Sequence, residues 1–368
     1  MRRLFLCTLS LLLLFTSLPT YACGGGFGQG VTINPSQKIV LTFRGGVETY
    51  IFKPHFCGSS TDFGLILPVP STLTQNPTLG DSDLVSELEA ITAPRVETVE
   101  VCASRGFGSG SSKGDDSNGS QLAGSVGDGV NVISTGQVGQ FQWQLLKADS
   151  ATSFTDWLDA NQFPYPASAQ PAFDHYVQAG WYFVAFSVTA GANAPPSGYK
   201  LCGDFGPIQL SFPTSQAVIP ARIAAASDTQ YSFTWRIFTV SDHELNASKS
   251  STSASVTQSL RFADALTTDN LTQEPMVAKI GSASEWLTET DLSFYSGSLT
   301  QDIWLTQPPA DTALRRTEYV EKEVTCGVIG CSLSRNHGQT GGRIAGLLAI
   351  ASMALLVGGR HWLRRART

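Results

Sequence analysis

Histidine is scarce in this chain, and its few histidines lie far apart. Five occur in 368 residues, and only His55, His175 and His243 fall within the part of the chain that we expect to fold. No two of these three are close in sequence, and none has the short His, Cys or Asp spacings that metal sites and catalytic motifs show. The sequence therefore predicts no metal ion and no cofactor.

The middle of the chain also has few basic residues. The whole chain carries 24 Lys and Arg against 30 Asp and Glu. Two arginines precede residue 23 and five follow residue 342, and neither end contains an acidic residue, so residues 23–342 carry a net charge of 17 − 30 = −13. Because such an acidic surface repels phosphate groups, we expect no nucleic-acid partner.

The N-terminus has the pattern of a secretory signal peptide. Two arginines precede an apolar run, and a small-residue cleavage site ends at Ala22, directly before Cys23. We therefore expect residues 1–22 to be removed and the rest of the chain to be exported. A lipid-modified Cys23 is the alternative, although Thr20 stands where a bacterial lipoprotein signal normally has Leu.

A long hydrophobic run is missing, but a short one lies near the C-terminus. Ile344–Gly359 is uncharged and mostly apolar, and its sixteen residues fall short of the ~20 that a helix needs to cross a bilayer. Four arginines follow it, and such flanking residues extend a span and keep their own side in the cytoplasm. We therefore expect residues 343–368 to form a transmembrane helix with a basic tail that anchors the exported domain, in the periplasm or at the cell surface.

The cysteines indicate a disulfide-bonded protein. Of seven, Cys7 leaves with the signal peptide. The remaining even number can form up to three disulfides outside the cytoplasm, in any of fifteen complete pairings. The candidates are Cys23, Cys57, Cys102, Cys202, Cys326 and Cys331. Cys326 and Cys331 are the one close pair, for which we favour a small disulfide loop.

Between its two ends the chain divides by composition into four parts. They are 23–103, a first β-rich part of the exported domain; 104–129, a Gly/Ser/Asp-rich loop; 130–320, a second α+β part; and 321–342, a stalk that holds Cys326 and Cys331. Short strands follow one another with few helices between them. This order favours an α+β fold with predominantly antiparallel strands.

Runs of β-branched and aromatic residues predict the strands of the first part. These runs lie at 39–43, 47–53, 63–67 and 96–102. Gly45-Gly46 between the first two predicts a hairpin turn. One helix interrupts the strands, with Asp83 as its N-cap and a stop before Pro94.

The second part begins with a clear strand signal that weakens towards its end. Apolar and polar residues alternate from 141 to 145, which predicts a half-buried strand, and two short helices follow. Trp181–Val188 is almost continuously apolar, as a strand covered on both faces is. Tyr231–Val240 predicts another strand, whereas 246–317 is polar and shows no clear period.

The sequence identifies no catalytic residues. Gly110, Ser112 and Gly114 have the G-x-S-x-G spacing of a hydrolase nucleophile elbow, but they lack the strand and helix that this motif needs on either side, and we interpret the match as coincidence. A site can still assemble from residues that are distant in sequence. The candidates are His175 or His55 together with Asp62, Asp174 or Asp204.

Two stretches of the chain look alike. Cys57-Gly58 leads to Phe63-Gly64, and Cys202-Gly203 leads to Phe205-Gly206, each after a strong predicted strand. The spacings between the matching residues differ. The likeness predicts either a diverged two-copy architecture or an accidental match.

A set of short motifs, taken in order, resembles a known bacterial family. The motifs are Cys23-Gly24-Gly25, Phe63-Gly64-Leu65-Ile66-Leu67-Pro68-Val69-Pro70, Thr92-Ala93-Pro94, Val138-Gly139-Gln140-Phe141, Trp157-Leu158-Asp159-Ala160-Asn161, Tyr182-Phe183-Val184-Ala185 and Ile219-Pro220-Ala221-Arg222-Ile223. Over residues 23–240 the chain is similar to the exported proteins of domain of unknown function 2330. The resemblance implies a shared fold and export, and it brings no activity or catalytic residues.

The C-terminal end resembles a myxobacterial surface-sorting tag, which consists of a Cys, a short apolar helix and terminal arginines. The resemblance implies that Cys331 is a processing site. Twelve residues separate Cys331 from Ile344, more than the pattern usually has, so a disulfide with Cys326 stays equally open.

These features together favour a binding or structural role. We expect a membrane-anchored protein of the cell envelope that contacts another envelope protein or a polysaccharide. An envelope hydrolase, with a site assembled from distant residues, is one alternative. A tail-processed protein displayed on the cell surface is another.

Overall fold

The structure is a computed structural model. It describes residues 25–27, 32–33, 36–53, 55–58, 64–102, 129–161, 163, 165–188, 201–204, 206–226, 232–248, 256–295 and 299–324. The predicted signal peptide, most of the Gly/Ser/Asp-rich loop and of the stalk, and the C-terminal segment lie outside these residues, as do Cys23, Cys326 and Cys331. Within the described ranges, no helix has the length and apolar character needed to span a membrane.

The described residues are mostly strands, joined by a few short helices. The strands are β1 Gly25–Phe27, β2 Thr32–Ile33, β3 Ser36–Arg44, β4 Val47–Phe52, β5 His55–Gly58, β6 Gly64–Val69, β7 Thr78–Leu79, β8 Arg95–Cys102, β9 Val130–Val138, β10 Phe141–Ala148, β11 Tyr182–Val188, β12 Leu201–Asp204, β13 Ile208–Pro213, β14 Val218–Ile219, β15 Ser232–Ser241, β16 Asn246–Ala247, β17 Thr257–Ala265, β18 Trp286–Tyr295, β19 Ile303–Thr306, β20 Leu314–Arg315 and β21 Thr317–Val324. The helices are α1 Leu84–Thr92, α2 Ala151–Ala160, α3 Gln170–Gln178, α4 Thr268–Gln273 and α5 Val277–Ile280, with short 3₁₀ helices at Ala167–Ala169 and Arg222–Ala226. The prediction of antiparallel strands with a few short helices is confirmed.

One large sheet has five antiparallel strands in the order β1-β6-β11-β10-β9. Its strand β11 was predicted to be covered on both faces, and it is. Val184 and Phe186 lie in one core cluster, and Phe183 and Ala185 lie in another. Covering both faces requires apolar residues at consecutive positions, which explains the unbroken apolar run in the sequence.

The second large sheet has eight strands in the order β20-β17-β18-β15-β3-β4-β13-β7. Neighbouring strands are antiparallel except for β3 and β15, which run parallel. The predicted hairpin between β3 and β4 turns at Gly45 and Gly46, whose φ angles are +55° and +75°. Glycine adopts such angles without steric cost, so the Gly-Gly pair specifies this turn.

Three clusters of buried side chains show how the layers stack. The largest lies between the two sheets and joins Trp143 and Phe186 of the five-stranded sheet to Tyr50 and Trp235 of the eight-stranded sheet. The second packs α2 and α3 on the outer face of the five-stranded sheet, and the third packs α1 and α5 on the outer face of the eight-stranded sheet. The result is a sandwich of two sheets with helices on both outer faces.

The helix predicted to begin at Asp83 is present as α1, and its apolar residues Leu84, Leu88 and Ile91 are buried as expected. Asp83 occupies the N-cap position as predicted, but its side chain makes no capping hydrogen bond. An N-cap residue normally has an extended backbone, whereas Asp83 is already helical at φ −92° and ψ −10°. Its carboxylate is therefore not set to accept from the first turn.

The described chain forms two compact units. The first contains the described residues up to 97 and from 129 to 319, and it holds both large sheets. The second contains Thr98–Cys102 and Val320–Val324, which are parts of β8 and β21. Within the second unit, Lys322 Nζ and Glu100 Oε1 form an exposed ion pair at 3.5 Å.

Candidate functional site

A cleft opens at one end of the eight-stranded sheet, where the parallel strands β3 and β15 both end. Their register pairs Phe43 with Ser241, so Arg44 and Asp242 leave the sheet at the same edge. The cleft has a volume of about 400 Å³, a size typical of small-molecule sites. Its lining residues are Phe43, Arg44, Gly45, Ser215, Gln216, Ser241, Asp242, His243, Leu245, Leu305, Thr306 and Gln307.

A hydrogen-bonded His/Asp pair stands at this cleft. His243 Nδ1 lies 2.9 Å from Asp311 Oδ2, and the imidazole is about half exposed while Asp311 is mostly covered. When a carboxylate accepts from Nδ1–H, the neutral ring keeps Nε2 as its acceptor. His243 is thus oriented by Asp311 and leaves one ring nitrogen for a ligand or a proton.

The two loops that carry His243 and Asp311 are held together by reciprocal bonds. Asp311 Oδ1 accepts the backbone N–H of Glu244 at 2.9 Å, and Glu244 Oε2 accepts the backbone N–H of Thr312 at 2.9 Å. Glu244 is 3% exposed and also accepts from the amide of Asn246. Both carboxylates are therefore hydrogen-bonded, and this wall of the cleft is fixed before any ligand arrives.

Arg44, another lining residue of the cleft, is held by an ion pair. Arg44 donates to both carboxylate oxygens of Glu285, at 2.8 Å from Nη2 to Oε2, and also to the carbonyl of Ile280. Burial alone would raise the pKa of Glu285, but the hydrogen bonds from Arg44 and from the Ser282 N–H outweigh burial and lower it. Glu285 therefore stays ionised and keeps the Arg44 side chain at the cleft.

The lining combines an apolar floor with polar groups of both hydrogen-bonding types. Leu245 and Leu305 are buried, and Phe43 is partly buried against the same core. Around them Arg44 and the glutamine amides can donate, while Asp242 can accept. The arrangement therefore offers hydrogen-bond donors and acceptors to a polar ligand.

His175, one of the two candidate histidines, lies away from this cleft. Its candidate partners were Asp62, Asp174 and Asp204, but its Nε2 lies 3.8 Å from Asp302 Oδ2. Asp174 instead accepts from Gln170 at 3.5 Å.

Asp302 belongs to a buried network. It is 3% exposed and accepts from the Tyr176 hydroxyl at 2.5 Å and from the Arg222 N–H at 3.1 Å. Burial and the nearby charge of Arg222 lower the pKa of His175, and burial raises the pKa of Asp302. Both shifts favour the neutral forms, so we interpret this network as structural.

The other predicted residues fall into three groups. In the antiparallel pairing of β5 with β12, His55 is directly opposite Asp204 and Cys57 is directly opposite Cys202. Cys102 ends β8. The remaining candidates lie outside the described residues: Ala22, Cys23, Asp62, the Gly110, Ser112 and Gly114 motif, Cys326 and Cys331.

Only a weak signal for the site is present in the sequence. Three titratable residues, Asp242, His243 and Glu244, stand together one residue after the predicted strand Tyr231–Val240, at the kind of strand end where sites form. Nothing in the sequence points to Asp311, which lies 68 positions beyond its partner. Among the side chains that the structure describes, which do not include those of β5 and β12, no group of three or more His, Cys, Asp or Glu is placed to hold a metal ion.

Comparison with known proteins adds a family but no activity. Among solved structures, the chain is similar to the crystal structure of baculovirus P35, with 8% sequence identity over 76% of this chain and 98% of that chain and a TM-score of 0.34. No curated protein sequence matches significantly. A family profile matches residues 19–306, which include Arg44 and His243 and end before Asp311. The chain belongs to the family described as uncharacterized protein conserved in bacteria, domain of unknown function 2330.

Proposed function

We propose that this protein is a membrane-anchored module of the cell envelope that binds a polar ligand in the cleft beside His243. The observation that carries the proposal is the convergence of charged, amide and hydroxyl side chains on a cleft whose wall is fixed by Asp311 and Glu244. Fixed polar groups over an apolar floor are how proteins orient small ligands. The signal-peptide pattern and the apolar segment Ile344–Gly359 support a location outside the cytoplasm.

A segment of envelope polysaccharide is the ligand that we favour. Sugar hydroxyls both donate and accept, and the cleft offers donors and acceptors side by side in Arg44, Gln307 and Asp242. The negative charge of residues 23–342 disfavours anionic lipid headgroups as ligands.

Site-specific photo-crosslinking in cells tests the proposal. We would replace Gln307, an exposed residue of the cleft, with p-benzoylphenylalanine in the full-length protein. The matched control is Gln273, an exposed glutamine at the end of α4 that does not line the cleft. Light should produce a defined covalent adduct from position 307 and none from position 273, and a second substitution, His243→Ala, should reduce the yield several-fold.

The mass of the adduct then identifies the ligand class. A saccharide adduct supports the proposal, and a polypeptide adduct would replace the polysaccharide with a protein partner. The same adducts from both positions, or none from position 307, would contradict binding at the cleft.

An envelope hydrolase is the second candidate, favoured by the hydrogen bond between His243 and Asp311. An imidazole oriented by a carboxylate is the arrangement that acid–base catalysis uses. If the protein cleaves envelope polysaccharide, purified protein should release reducing ends from that material, and His243→Ala should abolish the release. The control His175→Ala, which lies in the structural network, should leave it unchanged.

A further inference from the structure

The pairing of β5 with β12 places two cysteines directly opposite each other. In this antiparallel register, Cys57 is the partner of Cys202 and Gly58 is the partner of Leu201. We propose that Cys57 and Cys202 form a disulfide that ties the two strands together. The inference rests on the export that we propose above, because stable disulfides form in oxidising compartments.

The backbone spacing of an antiparallel sheet suits this bond. Directly opposed residues share one face of the sheet, and their Cα atoms lie about 4.5 Å apart in non-hydrogen-bonded pairs and about 5.5 Å apart in hydrogen-bonded pairs. Both separations fall within the ~4.4–6.8 Å between the Cα atoms of disulfides. The bond therefore needs no movement of either strand.

The likeness between the two Cys-Gly segments gives a second reason. β5 leads into β6 of the five-stranded sheet, and β12 leads into β13 of the eight-stranded sheet. If the two segments are diverged copies, the residue on the local two-fold axis of their antiparallel pair meets its own counterpart, and Cys57 and Cys202 are such counterparts. The disulfide would thus link the segments that enter the two large sheets, across 145 positions of sequence.

The chemistry is a two-electron oxidation. Each thiol loses its proton, one sulfur–sulfur bond forms, and two electrons pass to a disulfide-bearing protein oxidant of the envelope, which is reduced to its dithiol. Zinc binding is the competing chemistry. His55 and Asp204 form the next directly opposed pair two positions along, on the same face, and Cys, His and Asp are all zinc ligands.

Mass spectrometry of protein from the native envelope tests the pairing. The protein is alkylated without reductant and digested with trypsin, which yields peptide 45–95 with Cys57 alone and peptide 201–222 with Cys202 alone. We expect these two peptides to be joined, and reductant to separate them with a gain of one hydrogen each. The same digest shows whether residues 1–22 have been removed, which tests export independently.

Each other result is informative. Unlinked, alkylated Cys57 and Cys202 in a chain that has lost residues 1–22 would overturn the disulfide and leave export intact, and stoichiometric zinc in that sample would assign the metal site instead. A chain that retains residues 1–22 and is found in the cytoplasm would overturn export itself.

Thermal unfolding gives a second test. Cys57→Ala and Cys202→Ala should each lower Tm by roughly 5–15 °C, because a disulfide that closes a long loop restricts the unfolded chain. The double variant should fall no further than either single variant. Additive losses would mean that the two cysteines stabilise the fold separately.

Discussion

Glu48 is a carboxyl group enclosed by the core. It is 0% exposed, its Oε2 accepts the Val218 N–H at 2.8 Å, and its Oε1 has no hydrogen-bond partner among the described residues. Burial raises the pKa of Glu48 well above its usual value of 4.5, and the Val218 hydrogen bond opposes this only in part. Such a site favours the protonated, neutral carboxyl.

The stability of the protein should therefore fall as the pH rises above 4.5. Between the unfolded-state pKa and the higher folded-state pKa, the folded chain holds a proton that the unfolded chain releases, so this group lowers the unfolding free energy by up to about 1.4 kcal/mol per pH unit. Glu48→Gln removes the titration and keeps an acceptor for Val218. We expect the unfolding free energy of the wild type relative to this variant, measured in urea, to decrease as the pH rises above about 4.5.

The control for this measurement is Glu321→Gln, because Glu321 is an exposed carboxylate on β21. Its difference from the wild type should stay within about 0.5 kcal/mol at each pH, as is usual for surface changes. If the difference in unfolding free energy between the wild type and Glu48→Gln did not change with pH, the pKa of Glu48 would be the same in the folded and unfolded protein.

At the scale of single elements, two helices should respond differently to loss of the residue at the N-cap position. Ser150 has an extended backbone, and its Oγ accepts the Ser153 N–H at 3.0 Å at the start of α2. Ser150→Ala should cost about 1 kcal/mol of unfolding free energy, whereas Asp83→Ala, which removes no capping bond from α1, should cost less than about 0.5 kcal/mol. Chemical denaturation of both variants measures the difference, and equal losses would contradict these cap assignments.

In the edge strand β9, the indole of Trp143 leaves no room for a side chain at Gly136. Gly136 pairs with Trp143 of β10, and a Cβ atom at Gly136 would lie 2.8 Å from Trp143 Cζ2. Because Trp143 is 1% exposed and packed between the sheets, the ring cannot easily move. Gly136→Ala should therefore destabilise the protein by about 1–3 kcal/mol, as overpacking of a core does.

Gly206→Ala is the matched control for this substitution. A Cβ atom at Gly206 would lie 3.7 Å from Leu79 Cδ2, an ordinary contact, so we expect a change within about 0.5 kcal/mol. Thermal unfolding of both variants compares them. If Gly136→Ala were as stable as the control, the packing of Trp143 over β9 would have to be looser than the structure has it.

The elements that the sequence predicted well are those with apolar residues to bury. β11 was predicted because both of its faces bury apolar side chains, and α1 because one of its faces does. The region 246–317 gave little signal although it contains β17, β18 and β19. In β18 the consecutive residues 288–291 are buried and polar, and Asp291 is paired with Arg236 and Arg261, each at 2.9 Å. A strand that buries paired charges has no hydrophobic period to detect.

The candidate site was predictable only in part for a related reason. The run of charged residues after β15 marks one wall, but the orientation of His243 depends on a loop from another region of the chain. His175 was a candidate because it is one of three histidines in the folded part of the chain, and Asp174 beside it was one of its candidate partners. Helix geometry directs adjacent side chains apart, which is why His175 meets Asp302 instead.

At the scale of the whole molecule, the first β-rich part and the second α+β part are built into the same sheets. β3 and β4 of the first pair with β15 and β13 of the second, and β6 pairs with β11. These pairings join strands that are more than 100 positions apart in sequence, so neither part has a complete sheet without the other. In sequence, the Gly/Ser/Asp-rich segment therefore separates two pieces that share the same sheets. Either piece expressed without the other should fail to form the core.

The two ends of the chain should determine how the folded domain is attached to the membrane. We expect removal of residues 343–368 to move the protein from the membrane fraction to the soluble envelope fraction or the medium, because the deletion removes the apolar segment and its arginines. The full-length chain should sediment with membranes and resist extraction at high pH. Immunoblots of the separated fractions measure both. The matched variant is Cys23→Ser in the full-length chain, which removes the alternative lipid-attachment site and should leave the membrane fraction unchanged.

The two variants together distinguish three modes of attachment: a lipid on Cys23, a sorting tail that is cleaved, and a retained transmembrane segment. If the truncated chain stays with the membrane and Cys23→Ser releases the full-length chain, the anchor is a lipid and the C-terminal segment is not needed. If the full-length gene yields a mature protein that ends near Cys331, the tail is a sorting signal, and Cys331→Ser should block that cleavage. If truncation releases the protein, Cys23→Ser leaves the full-length chain in the membrane fraction, and no cleavage occurs near Cys331, the apolar segment is the anchor. If the cleft at His243 binds envelope material as we propose, a longer stalk should extend the range of material that the anchored protein reaches.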